Sequence, residues 1–145
     1  MDELIKKGAV ELGRLIKKGE TSSEEVVKAH LERIKEVNPE INAITVSLEE
    51  SALELAIKSD NASKEDKARL LHGVPFTIKE NIDFIGTPTT NGLPFLAEEF
   101  PPKNAPIVDR MLSAGAIPIG RTNLPEMGLR LDTDIPLRGR TFNPW

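Results

Sequence analysis

Three features of this sequence predict an α/β fold: short β-prone runs at Ile41 to Val46, Val74 to Lys79 and Ala116 to Gly120, charged segments of helical apolar spacing around them, and turn-rich connections. They describe a partial mixed sheet of about three strands packed by helices. The texture changes near residue 70. Before it the chain is charged and helix-prone; after it, it is rich in proline and glycine, and every proline except Pro39 lies from Pro75 onward. No Ser/Gly linker marks the shift, so residues 1–145 read as a single domain whose second half changes role.

Leu4, Ile5, Val10, Leu12, Leu15 and Ile16 follow helical spacing, and Gly19 supplies the stop. Thr21-Ser22-Ser23-Glu24 is a capping-box pattern, in which hydroxyl and carboxylate satisfy each other's orphan amides. Val27, Leu31 and Ile34 form the stripe of a second helix. It is expected to end near Val37, because the residue before Pro39 is driven out of helical geometry. Ile41 to Val46 reads as a buried strand. Ser47-Leu48-Glu49-Glu50 opens a third helix with Leu48, Ala52, Leu55 and Ala56 inward, and Ser59 to Lys67 is a polar loop. Val74, Phe76 and Ile78 share one face of the second strand; Pro75, Thr77 and Lys79 share the other. Phe84 to Pro102 is a long loop dense in turn residues. Asn104 is placed to cap a helix with Ile107, Val108, Met111 and Leu112 buried, and Gly115 ends it. Ala116 to Gly120 is the third strand, in which Pro118 suits an edge or an irregular course. Strand, loop, helix, strand favours a parallel, right-handed crossover.

The remaining polar residues have plain structural readings. Asn123 and Glu126 read as a helix cap and its local partner, His72 as a structural group, and His30 as a half-exposed helix residue. Arg130, Arg138 and Arg140 are interleaved with Asp132 and Asp134, the pattern of a solvated loop.

Composition narrows the class. The chain has 145 residues, is 39% hydrophobic and 29% charged, and carries a formal net charge of -4. That is the composition of a soluble globular protein without the basic footprint of nucleic-acid binding. There is no cysteine, the two histidines lack metal-ligand spacing, and no apolar run reaches the roughly 20 residues of a membrane span. The first twenty residues lack the apolar core of a signal peptide, so the default location is the cytoplasm.

The stretch Leu71-His72-Gly73-Val74-Pro75-Phe76-Thr77-Ile78-Lys79-Glu80 organises the chain. It delivers one lysine at the far end of a strand, where α/β sheets gather ligands and chemistry. Read alone, Lys79 is a solvated strand-end lysine.

The order of motifs resembles the N-terminal third of the amidase signature family. Ser23 with Leu31-Glu32-Arg33-Ile34, then Asn38-Pro39 and Ile41-Asn42-Ala43, resemble its opening helix and strand. Leu71 to Glu80 resembles its lysine strand, in which Asp or Glu follows the lysine. Thr89-Thr90-Asn91-Gly92 is similar to its threonine-glycine loop, with Leu93 where Ser is common. Gly120-Arg121-Thr122-Asn123-Leu124-Pro125-Glu126 is similar to its Gly-Lys-Thr-Asn segment, with Arg121 in place of a common Lys. Arg140-Thr141-Phe142-Asn143-Pro144-Trp145 resembles the segment just before its Gly/Ser-rich signature.

The resemblance implies a partial α/β/α sandwich and a carboxamide hydrolase that uses no cofactor and no metal. It implies that Lys79 is the base of a Ser-Ser-Lys triad and that Thr89, Thr90, Asn91 and Gly92 border the substrate channel; as bare residues these four are a turn. A lysine acts as a base only in its neutral form, which desolvation or a neighbouring cation favours. The triad serines of the family lie in the Gly/Ser-rich signature, which this sequence does not contain. None of Ser22, Ser23, Ser47, Ser51, Ser59, Ser63 and Ser113 stands in a Gly-Gly-Ser context. With nucleophile and oxyanion donors outside these residues, the chain alone is expected to be inactive. The expected partners are a small-molecule amide, a complementary C-terminal amidase chain or a second copy, but neither nucleic acid nor membrane. The alternative is a non-catalytic remnant or interaction module of the same fold. A third reading is Schiff-base chemistry at Lys79, which no phosphate or carboxylate motif supports.

Overall fold

Gly19 stops the first helix in the left-handed conformation, at φ 71°, and its amide bonds back to Ile16 O. The computed structural model describes residues 3–145. Its chain opens with a 3-10 turn at Glu3–Lys6, followed by α1 (Ala9–Lys18), α2 (Ser23–Ile41), β1 (Ile44–Ser47), α3 (Glu49–Asp60), α4 (Lys64–Lys67), β2 (Pro75–Lys79), α5 (Pro106–Ser113), β3 (Ile117–Thr122), β4 (Asp134–Ile135) and β5 (Gly139–Arg140). The main sheet has the order β1-β3-β2, and β4 and β5 form a separate antiparallel pair. β1 runs antiparallel to β3. The bonds Ile117 N to Val74 O and Glu80 N to Thr122 O climb β3 and β2 in the same sense, so this pair is parallel and the sheet is mixed. An α/β fold with a mixed sheet of three strands is therefore present as expected.

The chain divides into two units. The first comprises the chain through Glu36, Leu48–Phe76 and Arg110–Ile119. One of its apolar clusters joins Val27 and Leu31 of α2, Ala52 and Ala56 of α3, and Ile117 and Ile119 of β3. The two alanines are wholly buried. A second cluster joins Leu12, Val26 and Val74, with Leu4, Ile16 and Leu71 against it. Each buried branched side chain contributes about 1.5–3 kcal/mol. The N-terminus of α2 is closed twice. Ser22 Oγ accepts from Glu25 N at 3.0 Å while Glu25 Oε2 accepts from Ser22 N at 2.9 Å, and Asp60 accepts from the amides of Ser23 and Glu24. The capping box thus sits one residue later than the sequence pattern suggests.

The second unit comprises Val37–Ser47, Thr77–Asp109 and Gly120–Trp145. Here the structure corrects several expectations. α2 does not end at Val37 but runs through Pro39 to Ile41. The ladder bond that proline cannot make falls in the last turn, where Asn42 N reaches Asn38 O at 2.7 Å. Asn42 then takes φ 53°, the left-handed stop usually given to glycine. Asn38 Oδ1 accepts from the amides of Ala43 and Ile44, which aims the chain into β1. The strand is consequently shorter than Ile41 to Val46 and half-buried rather than buried. Residues 134–140 are not a solvated loop. They form the β4–β5 hairpin, with Ile135 buried.

Smaller corrections concern which side chains face inward. Val10, Leu55 and Ile107 are exposed; the apolar stripes of their helices are narrower than the spacing suggests. The polar loop after α3 contains the short α4, capped by Ser63. Asn104 does not cap α5; its Oδ1 accepts from Ile85 N instead. Pro118 lies in the central strand rather than at an edge. Pairing with β1 begins only at Gly120, so β1 does not need the amide that Pro118 lacks. Among the described residues no helix is long and apolar enough to cross a membrane.

Candidate functional site

β2 keeps its period of two to the end. Val74 and Ile78 are buried, Thr77 and Lys79 are exposed, and the next inward position is filled by Glu80, which has no exposed surface. A buried carboxylate survives only with partners. The Glu80 carboxylate has three: Thr45 and Thr90 donate their hydroxyls to its two oxygens, and Arg138 Nε lies 3.1 Å from Oε1 as an ion pair; Asn91 N donates to the main-chain oxygen. The Thr90 bond is 2.5 Å long, and Thr90 Oγ1 also accepts from Gly92 N.

A second buried charge grips the main chain beside Lys79. Arg121 is fully buried in β3. Its Nε donates to Ile78 O at 3.3 Å, one terminal nitrogen donates to Lys79 O at 3.2 Å and Ile82 O at 2.8 Å, and the other donates to Thr87 Oγ1. Burial pushes the Arg121 guanidinium below its ordinary range, opposed by the charges of Glu80 and Asp83 and reinforced by Arg138. The planar fork reaches three carbonyls and a hydroxyl at once, which a lysine ammonium cannot do with the same geometry.

The Lys79 side chain itself is exposed and makes no hydrogen bond or ion pair among the described residues. Thr90 is wholly buried, Thr89 nearly so, and Asn91 and Gly92 take left-handed φ values of 49° and 74°. Leu124 O and Glu126 Cα would stand 3.3 and 3.2 Å from a Cβ at position 92, which holds that position to glycine. Through Thr90 and Asn91, the four-residue loop is bonded to the residue that follows Lys79. The structure therefore brings the loop to the strand end that carries Lys79, through the bonds of Thr90 and Asn91 to Glu80.

The readings of the other polar residues divide. Asn123 is not a helix cap: its Nδ2 donates to Gly139 O at 3.2 Å and Thr141 Oγ1 at 3.0 Å, and Thr141 Oγ1 donates to Asn42 O at 2.7 Å. Asn42 Nδ2 donates to Arg138 O and Arg140 O, so two asparagines fasten the hairpin that carries Arg138. Glu126 pairs locally, with Arg130. His72 is a buried structural residue, and His30 is half-buried with its ring 2.7 Å from Val26 O. Sequence reasoning missed Glu80 and Arg121 as anchors. The signal for Glu80 was its phase, a carboxylate continuing the inward series Val74, Phe76, Ile78.

In this α/β fold a strand-end lysine on a mixed sheet stands beside a buried carboxylate, Glu80, and a buried guanidinium, Arg121. The comparisons carry the assignment further. The amidase family model matches residues 25–145. Indoleacetamide hydrolase from Bradyrhizobium diazoefficiens is 46% identical over 138 residues, which cover 94% of this chain and 26% of that protein. The A-subunit of glutamyl-tRNA(Gln) amidotransferase from Caldanaerobacter subterraneus subsp. tengcongensis is 42% identical, over 93% of this chain and 28% of its own length. A fatty acid amide hydrolase structure superposes with a TM-score of 0.91 at 28% identity, covering 97% of this chain and 25% of that one. A 6-aminohexanoate cyclic dimer hydrolase complexed with substrate gives 0.86 at 32%, covering 99% and 29%. This chain belongs to the amidase family. It spans between a quarter and a third of the length of these relatives.

Proposed function

We propose that these residues are the base-bearing part of a carboxamide hydrolase in which Lys79 is the general base. The observation that carries this reading is the contrast at the end of β2. The main chain of Lys79 is clamped by Arg121, its neighbour Glu80 is buried, and only the lysine side chain is left free at the surface. Such an arrangement fixes where the amine leaves the sheet and spends none of its hydrogen-bonding capacity. Once covered by protein, the amine would lose water, which favours its neutral form.

In the chemistry proposed, neutral Lys79 takes a proton from a serine hydroxyl, which takes one from a second serine. The second serine's oxygen bonds to the amide carbon, the carbon–nitrogen bond breaks, and the amine departs with the proton. Water then cleaves the acyl ester. Both serines and the oxyanion donors would come from a Gly/Ser-rich segment that these 145 residues do not contain. Thr89, Thr90, Asn91 and Gly92 would border the substrate channel. The partners proposed are a carboxamide and the polypeptide bearing that segment, with self-association as the alternative, in the cytoplasm. The exposed Phe95, Leu129, Leu131 and Trp145 support a covering partner.

The test is hydrolysis of simple carboxamides by the 145-residue chain alone, and by the chain with an amidase Gly/Ser-signature polypeptide. Activity only in the mixture, abolished by Lys79→Ala, is the expected result. Activity that survives the substitution removes Lys79 from the mechanism. A chain that binds the polypeptide without hydrolysis in any form would be a non-catalytic member of the family.

A further inference from the structure

Glu80 is the residue after Lys79, so a single peptide separates the exposed amine side chain from a carboxylate with no exposed surface. Its main chain is fixed on both sides: Glu80 N donates to Thr122 O at 3.1 Å, and the preceding carbonyl, Lys79 O, accepts from Arg121 at 3.2 Å. The side chain is held as closely. An ionised carboxylate only accepts hydrogen bonds, so the Thr90 hydroxyl spends its one proton on Glu80 Oε2, at 2.5 Å. The oxygen of that hydroxyl then accepts from Gly92 N at 3.1 Å. The Glu80 carbonyl takes Asn91 N at 3.4 Å as well. Thr90, Asn91 and Gly92 are thus all referred to one residue at the end of β2.

Thr90 and Gly92 are buried, and Asn91 between them is partly exposed. Asn91 also holds a left-handed φ of 49°, which residues other than glycine seldom adopt. Bonds on either side keep it there: Asn91 N to Glu80 O, and Met127 N to Asn91 O at 2.8 Å. Without the Thr90 hydroxyl the Gly92 amide loses its acceptor and one of these restraints on the turn goes with it. We infer that Glu80 is a positioning residue, which acts through Thr90 to hold the Asn91–Gly92 turn at a fixed place beside the strand end that carries Lys79. This role rests on the hydrolase reading, in which Lys79 is the base and the loop borders the substrate channel. It gives the two oxygens of one carboxylate different work. The oxygen that receives Thr90 sets the loop; the oxygen that receives Thr45 of β1 serves stability alone.

Because Glu80→Ala endangers the fold, the experiment separates the two oxygens through their donors. Thr90→Val removes the hydroxyl from the loop, Thr45→Val removes the one from β1, and Thr90→Ser keeps the loop hydroxyl. Amide hydrogen exchange is followed by NMR on the 145-residue chain. Benzamide hydrolysis is followed on the chain mixed with an amidase Gly/Ser-signature polypeptide, at equal folded concentration. Thr90→Val should speed exchange of the Gly92 amide roughly tenfold, the loss expected for one hydrogen bond in a charge-held network. In the mixture it should raise KM about tenfold while moving kcat far less, the mark of lost substrate placement. Thr90→Ser should restore both readings, and Thr45→Val should change neither beyond its effect on global stability. A Gly92 amide that exchanges in the unsubstituted chain as fast as an exposed loop amide overturns the inference without any variant. Equal effects of Thr45→Val and Thr90→Val also overturn it, because a merely structural network gives that result. KM unchanged by Thr90→Val in an active mixture overturns the role of Glu80 alone, whereas a wild-type mixture without hydrolysis overturns the hydrolase reading and this role with it.

Discussion

Arg138, on the C-terminal hairpin, sets its Nε 3.1 Å from the carboxylate of Glu80, and Glu80 has no solvent exposure at all. This pair joins the strand that ends in Lys79 to a hairpin otherwise fastened by Asn42 and Asn123. Removing the carboxylate leaves Arg121 and Arg138 without their shared counter-charge. Glu80→Ala should therefore lower the unfolding free energy by about 3–5 kcal/mol. Arg138 is partly exposed and Glu80 would keep both threonines, so Arg138→Ala should cost roughly 1–3 kcal/mol. Urea denaturation of the two variants and the double variant checks both figures. A double variant no worse than Glu80→Ala is the expected sign of coupling.

Gly73 takes φ 74°, and a Cβ there would stand 2.8 Å from Ser23 Cβ and 3.0 Å from Ile16 Cδ1. Gly73→Ala combines backbone strain with a clash against buried neighbours. A loss of at least about 1–3 kcal/mol is expected. Ser23→Ala in the same chain should restore part, because it removes the Oγ that would stand closest to the new Cβ but leaves the Cβ contact; Ser23→Gly should restore more. Thermal melts of the three variants decide the matter.

His72 supplies a pH dependence. Its imidazole is pushed below the ordinary 6.5 chiefly by burial; the Asp60 charge and a hydrogen bond to the Ser59 backbone oppose this, while Lys67 and Arg69 add to it. The unfolded chain takes up a proton near 6.5 and the folded chain resists it, so the unfolded state binds more protons below that pH. Stability should be complete above pH 6.5 and fall as pH drops through it toward the lower folded value. His72→Gln should flatten this part of the profile. Denaturation midpoints between pH 5 and 8 measure it.

Much of this architecture was legible because it rests on local signals. The period of two from Val74 to Lys79 placed the lysine at an exposed strand end, and Gly19 and Gly115 marked helix stops correctly. What misled was also local. Pro39 argued against a helix that Asn38 and Asn42 finish with side-chain and left-handed caps. The hairpin at 134–140 escaped notice because its support is remote: Asn42 holds its carbonyls, Thr141 reaches back to Asn42, and Glu80 anchors Arg138. An arginine-rich tail reads as solvated until the buried carboxylate that receives it is known. The family motifs marked Lys79 and the Thr89 to Gly92 loop, but only the fold revealed that Thr90 and Glu80 are bonded to each other.

Lys79 should be dispensable for the fold. Its side chain is exposed and makes no hydrogen bond or ion pair among the described residues. Lys79→Ala should alter stability by no more than about 0.5 kcal/mol, as exposed substitutions do. Denaturation of this variant beside Glu80→Ala separates the residue that faces outward from the one that holds the strand.

The most direct test is carboxamide hydrolysis by this chain combined with an amidase Gly/Ser-signature polypeptide, comparing Lys79 with Lys79→Ala at equal folded concentration. The account predicts that hydrolysis requires the combination and vanishes in the alanine variant, while complex formation is unchanged. Hydrolysis by the 145-residue chain alone, or hydrolysis that persists without the lysine, would contradict it.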